Sequence, residues 1–370
     1  MKLREIERLR AAALLMVLLG HLPIAVPQIL IHGYTGVSIF FVISGYVCSL
    51  SFFRNQTGDT YRNKLQSVGQ FWLSRFFRVI PLVICWILIY FVIGHIINYY
   101  GGSYGDTARF IKEFQWWGTG FYNYYFAFSR QSGLFGHLWT MAIEIQFYFI
   151  LPLFFLCFHS RKSQSIACIV IIFVSTLSRF FTPDDLIGKL THTQVDSLFA
   201  GVFIYVNKDS MRSKCLSRIR IQYRSWVGLI GIVSLFLLPV KLDYVTTAVV
   251  KYPFYTIIAS FLVYLAQLDE GWIFPGKHVS YGLEKIATVS FSTYVSHVII
   301  YSGLYYNLYQ KWLVNQHPRI ESHLGVWIQI IFLVLAALFV GKISLELIEK
   351  PFAAYSKIVI KKMKSFKAVS

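Results

Sequence analysis

The sequence predicts an all-α integral membrane protein of about ten transmembrane helices with both termini cytoplasmic, and three observations lead there. Of 370 residues, 56% are hydrophobic and only 14% are charged, which is far more apolar than a soluble chain of this length. Apolar windows long enough to cross a bilayer recur near 9–30, 34–53, 77–98, 137–158, 164–181, 191–207, 226–241, 244–266, 286–308 and 324–347. With the N-terminus inside, the cytoplasmic connectors and ends collect 26 of the 35 Lys and Arg residues and the other side holds nine, as the positive-inside rule requires. The net charge of +18 does not point to nucleic acid, because the basic residues sit in short connectors and form no groove-binding helix.

The first span carries the feature around which the chain is organised. Arg10 and His21 are eleven residues apart, three helical turns with ~20° of drift, so both fall on one face ~16 Å apart. A cation then lies at the inner membrane surface and an ionisable ring near the midplane. Ionisable groups are expensive there and read as functional, with pairing inside a helical bundle as the plain alternative. A cleavage site after Ala25 would place Pro23 where a small residue is needed, so the segment is expected to stay as a span.

The second span places Ser44, within FFVISGY, ~15 Å in from the outer side. At the cytoplasmic end of the third, RFFRVIP sets Arg75 and Arg78 three residues apart on one face. Forked guanidiniums recognise phosphate well, although arginines at a helix end also anchor lipid headgroups. The outer connector, 99–136, is rich in Trp, Tyr and Phe, first of all interfacial anchors and second a platform for a sugar. The fourth span opens on HLWTMAIEIQFY, with Trp139 near its start and Glu144 ~11 Å in. The sixth and seventh windows are short, so one is expected to be tilted or re-entrant.

His297, in SFSTYVSHVII, lies ~16 Å in from the inner side and reads more as a satisfied bundle histidine than as a catalyst. The tenth span closes on LIEKPF, so residues 1–350 form the membrane domain and 351–370 a basic cytoplasmic tail suited to anionic lipid. The five cysteines show no metal-ligand spacing and are expected to be reduced packing residues, with no metal site.

His21, Ser44, Glu144 and His297 thus fall near one depth. A carboxylate beside a histidine fixes its tautomer and stabilises its protonated form, so His21 and Glu144 are the candidate catalytic pair. A structural buried pair is the alternative. Three cations beneath a midplane histidine suit a ligand with a phosphorylated head and a long neutral arm, the shape of coenzyme A.

Arg10 to His21, FFVISGY, RFFRVIP, HLWTMAIEIQFY and LIEKPF resemble, in order, the motifs of the acyltransferase-3 family of membrane O-acyltransferases. The resemblance implies a ten-span bundle that takes acetyl from cytoplasmic acetyl-CoA. The implied acceptor is a hydroxyl on a surface polysaccharide or lipid-linked glycan, such as O-antigen, lipopolysaccharide or exopolysaccharide. It implies His21 as the catalytic residue and Arg10, Arg75 and Arg78 as donor-binding residues. Ser44, Trp139 and His297 are candidates for substrate contact or support. Glu144 matches the first acid of a WSLxxEEQF pattern, and Ile145 stands where the second is usual. The extra esterase-like domain of many relatives is not expected here, and the expected location is the bacterial inner (cell) membrane.

The competing readings are a transporter or flippase, which inverted repeats and paired broken helices would favour, and a non-catalytic scaffold of a glycan assembly complex. No such repeats stand out in the sequence. Ser44 lacks the G-x-S-x-G elbow of a triad esterase.

Overall fold

A computed structural model describes residues 3–24, 32–54, 61–100, 105–129, 135–211, 219–245, 247–303, 305 and 326–366. The described residues are helices joined by turns, with no strand. In chain order the helices are α1 (Arg4–Gly20), α2 (Gly36–Arg54), α3 (Tyr61–Tyr99), α4 (Thr107–Gly118), α5 (Tyr122–Ser129), α6 (Trp139–Cys157) and α7 (Arg161–Ser178). They continue with α8 (Val195–Asn207), α9 (Ile221–Val245), α10 (Ala248–Leu268), α11 (Lys277–Val298), α12 (Val326–Ser344) and α13 (Lys350–Phe366).

Seven of these helices (α2, α3, α6, α7, α9, α10 and α12) include stretches long and apolar enough to cross a membrane. α8 is apolar but has only 13 residues. α1 has only 17 residues and five charges in its first two turns, Arg4, Glu5, Glu7, Arg8 and Arg10, while α11 carries Lys277, Glu284 and Lys285 together with many Ser, Thr and Tyr residues.

α1 begins with Glu5 and Glu7 in its first turn, where the helix dipole favours acids. It stops at Gly20, well short of the expected end near residue 30, because Pro23 biases the chain before it away from helical geometry. Two polar ties set its position. The buried Glu5 carboxylate accepts from the backbone N–H groups of Gly271, Trp272 and Ile273 at 2.5, 3.0 and 3.0 Å. Arg8 donates to Glu284 at 3.2 Å, while His21 and His297 meet with ring centroids 5.1 Å apart. The second contact lies thirteen residues beyond the first on both sides, so α1 and α11 run parallel and in register.

α2 and α8 cross closely through Gly45 and Gly201. A Cβ on Gly201 would lie 2.1 Å from the Val42 carbonyl oxygen, and one on Gly45 would lie 1.9 Å from that of Leu198. Small residues at such crossings let backbones approach, which gives helices in lipid their attraction. A buried Arg179–Asp196 ion pair at 2.7 Å fastens the turn after α7 to the start of α8.

Two expectations change. The described part of 99–136 is not a simple loop: α4 and α5 meet at a turn where Gly120 takes φ +76. That turn rests on α6, where Gln146 Nε2 donates to the Gly120 carbonyl at 2.8 Å and to Asn123 Oδ1 at 2.9 Å. The hairpin is held by the buried Glu113, which accepts from Arg109 Nε at 3.0 Å and from the Tyr122 hydroxyl at 2.8 Å. The helix of the third span is also far longer than its apolar window: α3 has 39 residues and is about 58 Å long at 1.5 Å per residue.

α12 passes through a π-helical turn, Leu345–Glu349, into α13. α13 lies against α3, with the rings of Tyr355 and Phe77 5.4 Å apart. Cys48, Cys85, Cys157 and Cys168 are free, and Cys215 lies outside the described residues. So do the expected stretches 25–30 and 306–308, the aromatic connector at 101–104 and 130–134, and the final residues of the tail.

Candidate active site

The three arginines singled out by spacing come together. Arg10 from α1 and Arg75 and Arg78 from α3 line one cavity of about 80 Å³ with Ser44 and Cys48 of α2, Thr140, Glu144 and Tyr148 of α6, and Tyr294 of α11. Each cation is held differently. Arg10 Nη1 donates to Glu7, the nearer oxygen 3.0 Å away. Arg75 is buried, its guanidinium carbon 5.2 Å from the Phe71 ring centre and 5.6 Å from that of Tyr148, and its Nε has no hydrogen-bond partner. Arg78 lies 5.8 Å over the Phe291 ring. Stacking on aromatic faces fixes a guanidinium while leaving in-plane donors for an anion.

Glu144 sits within this cavity, and hydroxyls occupy both its oxygens. Ser44 donates to Oε1 at 2.6 Å and Tyr148 to Oε2 at 2.7 Å. Ser44 on α2 and Glu144 on α6 are thus joined directly, and the carboxylate is fixed by two neighbours instead of by an imidazole. No hydrogen bond between Glu144 and His21 is present among the described contacts.

His21 belongs to a separate group beyond Thr140 and Tyr294. It is the first residue past α1, exposed, with Nδ1 2.8 Å from the Val17 carbonyl oxygen. That bond makes Nδ1 the protonated nitrogen when the ring is neutral and leaves Nε2 as the acceptor. The His297 ring meets it edge to face, and His137 meets His297 in turn at 5.3 Å. His297 is wholly buried, with Nδ1 2.8 Å from the Tyr294 carbonyl and Nε2 without a partner. The hydroxyls of Thr140 and Tyr294 are 2.6 Å apart and both reach the His137 carbonyl, at 3.1 and 2.9 Å. These hydroxyls therefore stand between the carboxylate cavity and the imidazoles.

Of the residues expected at the site, Arg10, Arg75, Arg78, Ser44 and Glu144 share one cavity, His21 and His297 share one contact, and Trp139 does neither. The Trp139 ring rests edge-on against Phe41 at 6.2 Å. Sequence reasoning passed over two residues. His137 was quoted only as the start of a motif, although a histidine seven residues before Glu144 falls on the same helix face. Glu349, inside LIEKPF, accepts from the buried Ser292 hydroxyl at 2.6 Å and interacts electrostatically with Arg78. The π-helical turn brings it inward, a feature common at functional sites that apolar periodicity does not reveal. Among the described residues no group of three or more His, Cys, Asp or Glu could hold a metal ion.

The family model for an acyltransferase domain (acyltransferase-3) matches residues 3–343. Among curated proteins, the chain is 36% identical over 162 residues to the peptidoglycan O-acetyltransferase OatA of Listeria monocytogenes, covering 42% of this chain and 24% of that protein. It is 28% identical over 283 residues to a putative O-acetyltransferase of Staphylococcus aureus (strain COL), covering 73% and 42%. It is 25% identical over 365 residues to the O-acetyltransferase OatA of Staphylococcus aureus (strain NCTC 8325), covering 94% and 56%. The chain therefore spans between about a quarter and a little over half the length of these relatives. No solved structure matches.

Proposed function

This chain belongs to the acyltransferase-3 family, and from that premise we propose that it moves acetyl from cytoplasmic acetyl-CoA to a hydroxyl of a surface polysaccharide or lipid-linked glycan. The observation that carries the proposal is the single cavity lined by Arg10, Arg75 and Arg78 together with Ser44 and Glu144. Arginine forks suit the phosphates of the donor. The names of the relatives, all O-acetyltransferases, support the same group.

The donor supplies an activated acetyl carbonyl, and the chain's own residues do the rest. His21 Nε2 takes the proton of the acceptor hydroxyl as its oxygen bonds to the carbonyl carbon. The carbon–sulfur bond breaks, and the proton goes to the leaving thiolate. An alternative route has His21 accept the acetyl group and hand it on. Ser44 and Tyr148 donate their hydroxyl protons to Glu144 and hold its carboxylate in the cavity. On this reading α1, α8 and α11 join the seven long apolar helices to make ten crossings, with both termini cytoplasmic and the enzyme in the bacterial inner membrane. The arrangement is supported by the split of 26 basic residues to nine.

Mass spectrometry of surface glycans from cells with and without the gene tests the proposal. An acetyl-sized difference supports it. An altered amount of glycan with unchanged acetylation overturns it in favour of transport or scaffolding.

A further inference from the structure

A second cavity, far larger than the arginine chamber, lies on the flank of the molecule. It holds about 920 Å³ between α3 and α6, and the α4–α5 turn at Gly118, Gly120 and Phe121 also lines it. Phe76 on α3, Phe149 and Ile150 on α6, and Phe121 in the α4–α5 turn are exposed apolar side chains along it, so on the membrane reading the groove opens toward lipid. Two residues, Arg75 and Tyr148, together with Val79, line this groove and the arginine chamber alike.

We propose that this groove holds the hydrocarbon chain of a phosphate-linked glycan lipid, so that the acceptor reaches the chamber sideways from the membrane past Arg75 and Tyr148. The proposal rests on the acetyl-transfer reading above and names the form in which its acceptor arrives.

Three observations favour this occupant. The walls are apolar and aromatic along α3 from Gly69 to Ile80, about 16 Å at 1.5 Å per residue, which suits an extended chain and not a sugar. Where the groove meets the chamber, the buried Arg75 keeps an Nε without a partner, a donor placed for an anionic phosphate at the end of such a chain. Gly69 sits inside helix α3 and Gly118 at the end of α4, yet a Cβ on either would meet nothing within 4 Å. Neither takes a positive φ, and glycine inside a helix is unfavourable. Both line the groove, so a larger side chain at either position would enter it. The tail of a long-chain acyl donor is a poorer occupant, because acetyl has no tail. A polar glycan can approach from within lipid only when a lipid carries it.

The test uses the full chain in nanodiscs and a polyprenyl phosphate bearing a photoactivatable group on its chain. Labelling is expected on peptides containing 69–80 and 145–150, competed at least fivefold by unlabelled polyprenyl phosphate and not by phosphatidylglycerol. Gly69→Leu and Gly118→Leu fill the groove and should lower labelling, and transfer to a membrane-bound glycan lipid, at least fivefold. Release of free coenzyme A from acetyl-CoA without acceptor should be unchanged in both. Gly282→Leu, where a Cβ also meets nothing within 4 Å but which lies outside the groove, should behave as wild type. Labelling elsewhere, equal labelling in the filled variants, or equal competition by phosphatidylglycerol overturns the proposal. Coenzyme A release without groove labelling sinks the groove and leaves the acetyl-transfer reading standing. Groove labelling without any release does the reverse.

Discussion

At the scale of single residues, the site divides into a carboxylate chamber and an imidazole group, and the two make different predictions. His21→Ala should lower acetyl transfer about 10²–10⁴-fold, the usual contribution of a positioned acid or base, in protein that still inserts and folds. His297→Ala should lower it less, because that ring touches His21 edge-on and acts through it. Transfer assays on the purified variants check both, and near-normal transfer by His21→Ala contradicts the assignment. Arg78→Ala should raise the Michaelis constant for acetyl-CoA more than it lowers kcat, and Arg78→Lys should restore only part, since a point charge does not replace a fork stacked over Phe291. Depth along each helix was legible in the sequence, because rise per residue is fixed, and it grouped Ser44 with Glu144 correctly. Which groups touch within that depth was not legible. Glu144 was expected beside His21, and the structure gives its oxygens to Ser44 and Tyr148. Helix rotation decides such partners, and apolar residues all around a span leave rotation unmarked.

At the scale of elements, α1 is held as much by its inner end as by its apolar face. Glu5 takes three backbone N–H groups from the α10–α11 connection, and removing it strands buried donors. Glu5→Ala should therefore cost about 2–4 kcal/mol and Glu5→Gln less, measured as loss of thermal stability in detergent. A drop in transfer should accompany it, as α1 loses its register on α11. Sequence marked α1 as a span but set its boundaries too far along. The apolar run Ala11–Leu19 dominates the hydropathy, whereas the polar first turns belong to the same helix and Pro23 closes it. The helical hairpin of α4 and α5 was also hidden. Its aromatic residues read as interfacial anchors, and the contacts that fold it inward, Glu113 to Tyr122 and Gln146 to Gly120, are polar pairs distant in sequence or masked by surrounding aromatics.

At the scale of the whole molecule, the basic residues predict orientation. Cysteine labelling from each side of sealed vesicles should find both ends of the chain cytoplasmic and the 99–136 segment external, and labelling of that segment from the cytoplasm alone contradicts the topology. The fold class needed only composition and window length, whereas the count of crossings depends on α1, α8 and α11, which are short or carry polar and charged residues. The parallel registry of α1 and α11 has a consequence of its own. Arg10 lies in α1 and His21 is the first residue past its end, so their relation is a matter of phase as well as length. One alanine inserted between Ala12 and Ala13 would turn the histidine about 100° from the arginine's face for only ~1.5 Å of added length. A seven-residue insertion would restore the angle to within ~20° but lengthen the interval by ~10 Å. A series of such insertions, assayed for transfer, should show activity lost at one added residue and not regained at seven, because a donor of fixed length is a ruler that tolerates neither error.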